Sequence, residues 1–285
     1  MLHQPVICFY HKQCVDGAAA ASVVFRRYPE AQVFPLGFDT VEVDLAKALP
    51  EITPETLIIY VDNAMRLEQI AELGNEVLVV DHHISERERV EEIARNYPNV
   101  TFIFNLGESG ATLTWKHFFP DEKMPTLLSY IRDIDIWKNE LLPESEWMHL
   151  FLAQFKDQPE VFVELVFGNL DKYLEIGQIL AGQIEREIAK SLELQPVKLK
   201  IKNWEVLAYN VTNHKSKAGN LLSLKNKSTV ILYTISGDSV SCSLRSSAGQ
   251  SPTALQVATA LNGGGHTHAS GAGLDRKFFF SLIAD

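Results

Sequence analysis

Three short segments of the sequence combine residue types that bind divalent metal ions. The segment HKQCVDG begins at His11, VDN occupies residues 61–63, and DHH occupies residues 81–83. Carboxylate oxygens and imidazole nitrogens in one set suit Mn²⁺, with Mg²⁺, Co²⁺ or Zn²⁺ as other occupants. Two such ions roughly 3.5–4 Å apart can activate a water molecule and stabilise the oxygens around phosphorus. These segments therefore indicate metal-dependent hydrolysis of a phosphoester.

Each metal-binding segment lies at the end of a short apolar run typical of a β-strand, and helical patterns separate these runs. The predicted strands of the first half are residues 6–10, 32–34, 57–61, 77–80 and 101–104. Such alternation is typical of βαβ units around a parallel sheet, in which ligands bind beyond the carboxyl ends of the strands. A single aspartate after a strand is as readily the N-cap of the next helix. Three metal-binding ends among five strands favour a site.

The second half of the sequence predicts a long helix and a smaller domain. Apolar residues at 159–194 recur close to helical spacing, and Pro196 ends the pattern. Beyond it, the predicted strands are 197–201, 206–209, 230–235, 239–244 and 278–282, and the predicted helix is 253–261. The expected architecture is α/β, with a parallel-sheet domain at 1–158, a helical linker at 159–195 and a smaller α/β domain at 196–285.

The charge of the chain is divided unevenly between its two halves. The formal net charge is −10, but residues 196–285 carry ten basic against four acidic side chains. This distribution predicts an acidic metal-binding half and a basic anion-binding half, and it argues against a chain that coats long nucleic acid. Three cysteines form no disulfide framework, and no signal-peptide pattern or membrane-spanning run is present. We expect a cytoplasmic protein without membrane contact, and the sequence leaves a homodimer open.

Five motifs in order make the sequence resemble the DHH phosphoesterases that carry a C-terminal DHHA1 domain, over nearly the whole chain. They are HKQCVDGAAAA at 11–21, VDN at 61–63, DHH at 81–83, RDIDIW at 132–137 and GGGHTHASG at 263–271. The resemblance implies a DHH domain, a long helix and a DHHA1 domain, with the active site in the cleft between the domains. The implied metal ligands are His11, Asp16, Asp62, His82 and Asp133, with Asp62 as the bridge between two ions.

The resemblance also implies roles for the other residues of the DHH motif. Asp81 is either a further metal ligand or the acceptor that orients His82, since the second nitrogen of an imidazole ligand is usually held in this way. His83 is implied to face the scissile phosphate, where an N–H donor stabilises developing negative charge. The predicted catalytic residues are Asp62, Asp81 and His83.

Two positions leave the ligand set open. Asp133 is preferred to Asp135 as a ligand because Trp137 stands where the family often has an aromatic residue. Cys14 stands where the family usually has an aspartate, and it is either a thiolate ligand or a small residue that binds nothing. Soft sulfur matches Zn²⁺ better than Mn²⁺, so this departure weakens one metal position or changes its preferred ion.

The basic domain offers an anion-binding segment. Three consecutive glycines before a histidine leave backbone N–H groups open to a phosphate, and the histidine can donate to a phosphate or stack on a base. An arginine at the end of the predicted strand 239–244 is placed to hold a phosphate through two hydrogen bonds. The predicted substrate-binding residues are Arg245, Ser246, Gly263, Gly264, Gly265 and His266.

Together these features predict a metal-dependent phosphodiesterase that hydrolyses short linear oligonucleotides to mononucleotides. Dinucleotides such as pGpG are included, because one small anion-binding domain suits a short substrate better than a long track. One alternative is a nucleotide 3′-phosphomonoesterase of the 3′-phosphoadenosine 5′-phosphate type, and another is a cyclic dinucleotide phosphodiesterase. A non-enzyme alternative is a nucleotide-binding regulator whose metal site is impaired at Cys14.

Overall fold

The protein divides into two compact units, each built around one β-sheet. The structure is a computed structural model that describes residues 4–284. The boundary between the units lies between Ala181 and Gly182. Each unit has its own hydrophobic core on both faces of its sheet. The predicted α/β class is confirmed.

The first unit contains a five-stranded sheet in which all neighbouring strands are parallel, in the order β2-β1-β3-β4-β5. Its strands are β1 (Val6–His11), β2 (Gln32–Leu36), β3 (Leu57–Val61), β4 (Val77–Asp81) and β5 (Val100–Phe104). Every residue of β3 and β4 is buried, which explains their continuous apolar sequences. The carboxyl ends of β1, β3 and β4 are therefore neighbours at one edge of the sheet.

Helices cover both faces of this sheet. They are α1 (Val15–Arg27), α2 (Val41–Ala48), α3 (Leu67–Ala71), α4 (Ile84–Asn96), α5 (Gly110–Phe118), α6 (Thr126–Asp135), α7 (Glu144–Leu152) and α8 (Pro159–Leu165). Successive strand residues point to opposite faces, so Cys8 and Tyr10 join the core with α1 and α5, whereas Ile7 and Phe9 join the core with α2 and α3. The sequence alternation thus builds two cores around one sheet.

Helix α1 packs closely against β1. The residues Ala18, Ala19, Ala20 and Ala21 of this helix are fully buried, since it also packs on α5 and α8. A Cβ atom added at Gly17 would lie 2.5 Å from the carbonyl oxygen of His11. Only glycine allows this approach, which sets the distance between the end of β1 and the first turn of α1.

The sequence predicts one long connecting helix at 159–194, but the structure contains two helices in this range. Helix α8 ends at Leu165, and the long helix α9 (Asp171–Leu192) begins after a turn at Gly168. The Asn169 side chain accepts a hydrogen bond from the Asp171 backbone N–H at 2.8 Å, which starts the new helix. Among residues 4–284, no helix combines the length and apolar character needed to cross a membrane.

The second unit contains a mixed six-stranded sheet in the order β10-β11-β9-β8-β7-β6. The strands are β6 (Val197–Ile201), β7 (Trp204–Asn210), β8 (Val230–Ser236), β9 (Ser239–Arg245), β10 (Gly264–His266) and β11 (Ala269–Asp275). Strands β7 and β8 are parallel, and the other pairs are antiparallel. Helix α10 (Lys215–Asn226) packs on one face, and α11 (Ala254–Ala260) and α12 (Arg276–Ser281) pack on the other.

The closing strand predicted at 278–282 is a helix. The Asp275 carboxylate accepts hydrogen bonds from the backbone N–H groups of Lys277 and Phe278, at 2.8 and 3.2 Å, and so caps helix α12. Phe279 is buried in the core, while Phe278 and Phe280 are exposed. The strand prediction fails because three consecutive phenylalanines show no period, and the capping aspartate decides the local structure.

Candidate metal centre

The sheet of the first unit brings the three strand-end motifs together. His11 is the last residue of β1, Asp62 directly follows β3, and Asp81 is the last residue of β4. His82 and His83 follow β4 before helix α4 begins. Since β1, β3 and β4 are adjacent parallel strands, these side chains meet at one edge of the sheet.

Asp16 enters this cluster from the first turn of helix α1, and the start of helix α5 holds it in place. Its carboxylate accepts hydrogen bonds from the backbone N–H groups of Gly110, at 2.5 Å, and Ala111, at 3.1 Å. A helix N-terminus favours a negative charge, so this contact compensates part of the burial of Asp16. A Cβ atom at Gly110 would lie 2.7 Å from Asp62 Cβ. Sequence reasoning assigned no role to Gly110.

The His82 ring lies between three carboxylates. Its Nε2 atom is 3.2 Å from Asp62 Oδ1, 3.4 Å from Asp135 Oδ2 and 3.8 Å from Asp16 Oδ2. Asp135 is the last residue of α6, so this helix delivers one donor to the strand-end cluster. Asp16, His82 and Asp135 place their ligand atoms within 4.8 Å of one another.

The structure corrects the preference for Asp133 over Asp135. The Asp133 carboxylate accepts hydrogen bonds from Glu140 N at 2.8 Å, Leu141 N at 3.1 Å and Ser145 Oγ at 2.7 Å. These bonds outweigh the effect of burial and lower the pKa of Asp133. Residues two positions apart lie on opposite sides of a helix, so Asp133 ties α6 to the following loop while Asp135 reaches the cluster.

Asp62 faces two groups of donors at once. Its Oδ1 atom faces His82, whereas its Oδ2 atom lies 3.4 Å from His11 Nδ1. His11, Cys14 and Asp62 also place their ligand atoms within 4.8 Å of one another. Asp62 holds this position with a φ of 58°, a left-handed conformation that aspartate tolerates better than most residues.

Asp81 orients His83, which corrects the expectation that it orients His82. Asp81 Oδ1 lies 2.6 Å from His83 Nδ1 and also accepts hydrogen bonds from the backbone N–H groups of His82 and His83. The His82 ring instead turns its Nε2 atom toward Asp62. The second alternative for Asp81, a metal ligand, stays a prediction, and its Oδ2 atom is buried without a hydrogen-bond partner.

The acidic groups of the cluster compete for ionisation. Burial and the neighbouring charges of Asp62 and Asp135 raise the pKa of Asp16 well above its usual value. Burial and Asp62 raise the pKa of Asp135 to about 6. For Asp62, burial is outweighed by the His11 and His82 rings and the charge of His83, and its pKa is lowered. A bound cation would therefore favour the ionised forms of Asp16 and Asp135.

The two histidines of the motif respond to the same acidic surroundings. The hydrogen bond to Asp81 is the largest influence on His83 and raises its pKa to about 9. For His82, burial is outweighed by Asp62 and Asp135, and its pKa is raised. Burial, with Asp62 and Asp16, raises the pKa of the Cys14 thiol well above its usual value.

The donor set fits divalent metal ions. Among the residues that the structure describes, seven buried side-chain atoms lack a hydrogen-bond partner, and four of them belong to this cluster. The four are His11 Nδ1, Asp62 Oδ2, Asp81 Oδ2 and Asp135 Oδ2. Buried polar atoms without hydrogen bonds cost about 1–3 kcal/mol each, so their concentration in one place suits the binding of a cation. Oxygen and nitrogen donors match Mn²⁺ and the neighbouring divalent ions.

In the second unit, the structure places Arg245 and His266 at the same end of the sheet. Arg245 on β9 lies opposite Ala269 on β11, which lies opposite His266 on the edge strand β10. The Arg245 guanidinium donates to Ser216 Oγ at 2.7 Å and to the Leu244 carbonyl at 2.8 Å. His266 is exposed. The two residues therefore share one side of the sheet, two strands apart.

The glycine cluster forms an exposed edge, whereas Ser246 is buried. Gly264, Gly265 and His266 are exposed along β10, and a Cβ atom at Gly263 would lie 2.1 Å from the Gly271 carbonyl oxygen. Ser246 Oγ accepts from Ala254 N at 3.0 Å and lies 3.0 Å from His268 Nδ1. Its bonds join β9 to α11 and the β10–β11 turn, so its predicted role in binding substrate is not supported by this geometry.

Comparison with known proteins shows which fold this is. No protein-family model matches the chain. The pGpG-specific phosphodiesterase PggH from Vibrio cholerae aligns over 96% of this chain and 94% of its own, with a TM-score of 0.53 and 12% identity. The DHH domain of a member of a family of ribosomal proteins aligns over 98% of this chain and 85% of its own, with a TM-score of 0.51 and 14% identity.

A sequence relative comes from a virus. The uncharacterized protein R106 of Acanthamoeba polyphaga mimivirus is 29% identical over 93% of this chain, and the chain spans 66% of that relative's length. The structural likenesses show the fold, so the predicted DHH fold is confirmed. The chain is a two-unit α/β protein with the DHH fold, and a cluster of carboxylate and imidazole donors occupies the carboxyl edge of its parallel sheet.

Proposed function

We propose that this chain is a divalent-metal-dependent phosphoesterase of the DHH family, with Mn²⁺ as its metal. The observation that carries the proposal is a group of four buried atoms without hydrogen bonds in a DHH fold, three of them at strand ends and Asp135 Oδ2 at the end of α6. An intracellular reducing compartment, the cytoplasm, suits its three free cysteines.

The donors would hold two metal ions, with Asp62 placed between the two groups, since its Oδ1 atom faces His82 and its Oδ2 atom faces His11. Asp16, His82 and Asp135 hold one position, and His11 with Asp62 Oδ2 holds the other. When bound, the metal ions lower the pKa of water and neutralise charge on the phosphate oxygens. The backbone N–H groups at the start of α5 keep the Asp16 carboxylate in place.

His83 acts on the phosphate as a hydrogen-bond donor. Asp81 Oδ1 lies 2.6 Å from His83 Nδ1, and this contact raises the pKa of His83 and orients its ring. The Nε2–H group then points away from Asp81 and donates a hydrogen bond to a phosphate oxygen as negative charge develops there. Asp81 is a positioning residue for His83.

The substrate we propose is a short linear oligonucleotide, and dinucleotides such as pGpG are included. PggH, with which the chain shares its fold, is a pGpG-specific phosphodiesterase. A cavity of about 130 Å³ beside the donors is lined by apolar and polar side chains, among them Phe38 and Met65. Phe38 is 74% exposed and lies edge-on to His11 at 5.8 Å between ring centres, which suits stacking on a base.

The residues of the second unit hold the phosphate end of this substrate in our proposal. Arg245 and His266 supply the donors, and the glycine strand Gly264–His266 exposes backbone N–H groups. The net charge of −10 favours a short substrate over a long nucleic-acid track.

The test is product analysis after incubation of the full chain, reconstituted with Mn²⁺, with a panel of substrates. The panel contains pGpG, pApA, a short RNA, cyclic di-GMP and 3′-phosphoadenosine 5′-phosphate, and Asp62→Ala is the inactive control. We expect mononucleotides from the linear dinucleotides and none with Asp62→Ala.

Other products would change the proposal. Phosphate released only from 3′-phosphoadenosine 5′-phosphate would identify a phosphomonoesterase, and cleavage of the cyclic compound alone would identify a cyclic dinucleotide phosphodiesterase. Tight binding of pGpG without turnover in any metal would identify a nucleotide-binding regulator.

A further inference from the structure

One group of donors in the cluster contains sulfur. Cys14 stands directly before helix α1, and its Sγ atom lies within 4.8 Å of the ligand atoms of His11 and Asp62. The group therefore combines one imidazole nitrogen, one thiol sulfur and one carboxylate oxygen. The other position, formed by Asp16, His82 and Asp135, contains only nitrogen and oxygen donors.

His11 and Asp62, the other two residues of this group, each contribute a buried atom that makes no hydrogen bond. His11 Nδ1 and Asp62 Oδ2 are buried and make no hydrogen bond, and they lie at ion-pair distance from each other, 3.4 Å. Asp62 is 1% exposed, so its carboxylate is buried away from bulk solvent. Its other oxygen is already directed at His82. These two buried atoms without hydrogen bonds are an observation independent of the cysteine, and they indicate a ligand position here.

The surroundings of Cys14 differ from those of the other two cysteines. Cys8 and Cys242 are buried within the hydrophobic cores of their units. Cys14 is half-buried at the N-terminus of a 13-residue helix, and its side chain makes no capping hydrogen bond. Cys14 is thus free to use its sulfur for a ligand.

We propose that Cys14 is a thiolate ligand that, with His11 and Asp62, makes this metal position select Zn²⁺ or Co²⁺ over Mn²⁺ and Mg²⁺. The proposal rests on the metal-dependent function proposed above and assigns Mn²⁺ to the position formed by Asp16, His82 and Asp135, which contains only nitrogen and oxygen donors. Thiolate is a soft ligand and favours Zn²⁺ and Co²⁺, whereas an aspartate in its place favours harder ions. Binding breaks the S–H bond, forms the sulfur–metal bond and releases the proton to solvent.

Titration of the metal-free full chain with Co²⁺ under reducing conditions tests this proposal. A thiolate bound to Co²⁺ gives a charge-transfer absorption in the near ultraviolet, which oxygen and nitrogen ligands do not give. We expect this band in the wild type and in Cys242→Ala, the matched control that removes a thiol from a core. We expect its loss in Cys14→Ser and Cys14→Asp. In Cys14→Asp, the preference for Zn²⁺ over Mn²⁺ should fall by about tenfold or more.

A second measurement uses the unaltered chain, so it stands even if the Cys14 variants fold poorly. Zn²⁺ should slow the alkylation of Cys14 by iodoacetamide, read by mass spectrometry of the modified peptide, while Mg²⁺ should not. Unchanged alkylation with Zn²⁺ would overturn the proposal.

The outcomes separate this inference from the proposed function. Visible Co²⁺ bands without the charge-transfer band, together with pGpG hydrolysis in Mn²⁺, would overturn the thiolate ligand and leave the phosphoesterase intact. A charge-transfer band that persists in both Cys14 variants would also overturn it. A Cys14-dependent band in a chain that hydrolyses nothing would support the metal position and reject the proposed activity. A chain that binds no Co²⁺ at all would reject both.

Discussion

Exchange of Asp133 and Asp135 for asparagine should separate stability from metal binding. The two carboxylates are two residues apart at the end of α6, and both have restricted access to solvent. Asp133 accepts three hydrogen bonds from the chain, whereas Asp135 Oδ2 accepts none. The isosteric change to asparagine removes charge from each residue while keeping its size.

Asp133→Asn should destabilise the first unit. The amide has one acceptor oxygen in place of two and turns an N–H₂ group toward at least one donor of the set. Leaving a buried N–H or hydroxyl without its partner costs about 1–3 kcal/mol, so the loss should be about 2–4 kcal/mol in the free energy of unfolding. The affinity of the folded protein for Mn²⁺ should be little changed.

Asp135→Asn should stabilise the metal-free protein instead. Its folded pKa of about 6 lies above the value of an unfolded chain, so ionisation opposes folding above about pH 6 and has no such effect below about pH 4. Removing this charge should raise the free energy of unfolding by about 2 kcal/mol near pH 8 and leave it unchanged near pH 4. Affinity for Mn²⁺ and hydrolysis should both fall at least about tenfold.

Urea unfolding of the metal-free variants, followed by circular dichroism, gives the stability, and calorimetric titration with Mn²⁺ gives the affinity. The reasoning would be refuted if Asp133→Asn lost Mn²⁺ binding at unchanged stability while Asp135→Asn kept it. That result would return the ligand role to Asp133.

Two further substitutions test the positioning of the site and the binding of substrate. Gly17→Ala places a methyl group 2.5 Å from a backbone carbonyl oxygen and should lower the free energy of unfolding by about 1–3 kcal/mol and also lower the affinity for Mn²⁺. The control Gly273→Ala places its methyl group in open space and should change neither. Equal unfolding midpoints in urea for the two variants would contradict the close packing of α1 on β1. Arg245→Ala should raise KM for pGpG about tenfold or more with kcat little changed, because it removes a charged phosphate donor. Lys198→Ala removes an equal charge at the opposite edge of the sheet, and an equal rise in KM there would argue against a specific Arg245 contact.

Much of the fold could be predicted because the sequence repeats one pattern. The runs that became β3 and β4 are continuous apolar segments, as strands buried on both faces require. The metal-binding residues at their ends then had to meet, because parallel neighbouring strands end at one edge. The helix break near Gly168 and the capping of α12 by Asp275 depend on single side chains, which a count of apolar spacing does not detect.

The donors supplied by helices could not be ranked in the same way. A strand end fixes where its following residue lies, but the end of α6 offers two carboxylates in one turn, and only the packed structure decides which faces the cluster. Asp135 is chosen because the loop after α6 and Ser145 already occupy Asp133. Gly110 carried no chemical signal in sequence, since its part is to let Asp16 and Asp62 approach a helix start.

The cluster is assembled in a way that makes the metal part of the fold. One of its carboxylates, Asp16, is stabilised by a helix N-terminus, and another, Asp81, by backbone N–H groups and His83. Asp135 lies 3.4 Å from the His82 ring, and burial with neighbouring carboxylates raises the pKa of Asp16 and of Asp135, so a bound cation would favour their ionised forms. A cation that binds here would pair with the carboxylate oxygens that make no hydrogen bond, which are Asp62 Oδ2, Asp81 Oδ2 and Asp135 Oδ2. The free energy of metal binding therefore stabilises the packing of α1, α5 and α6 around the strand ends.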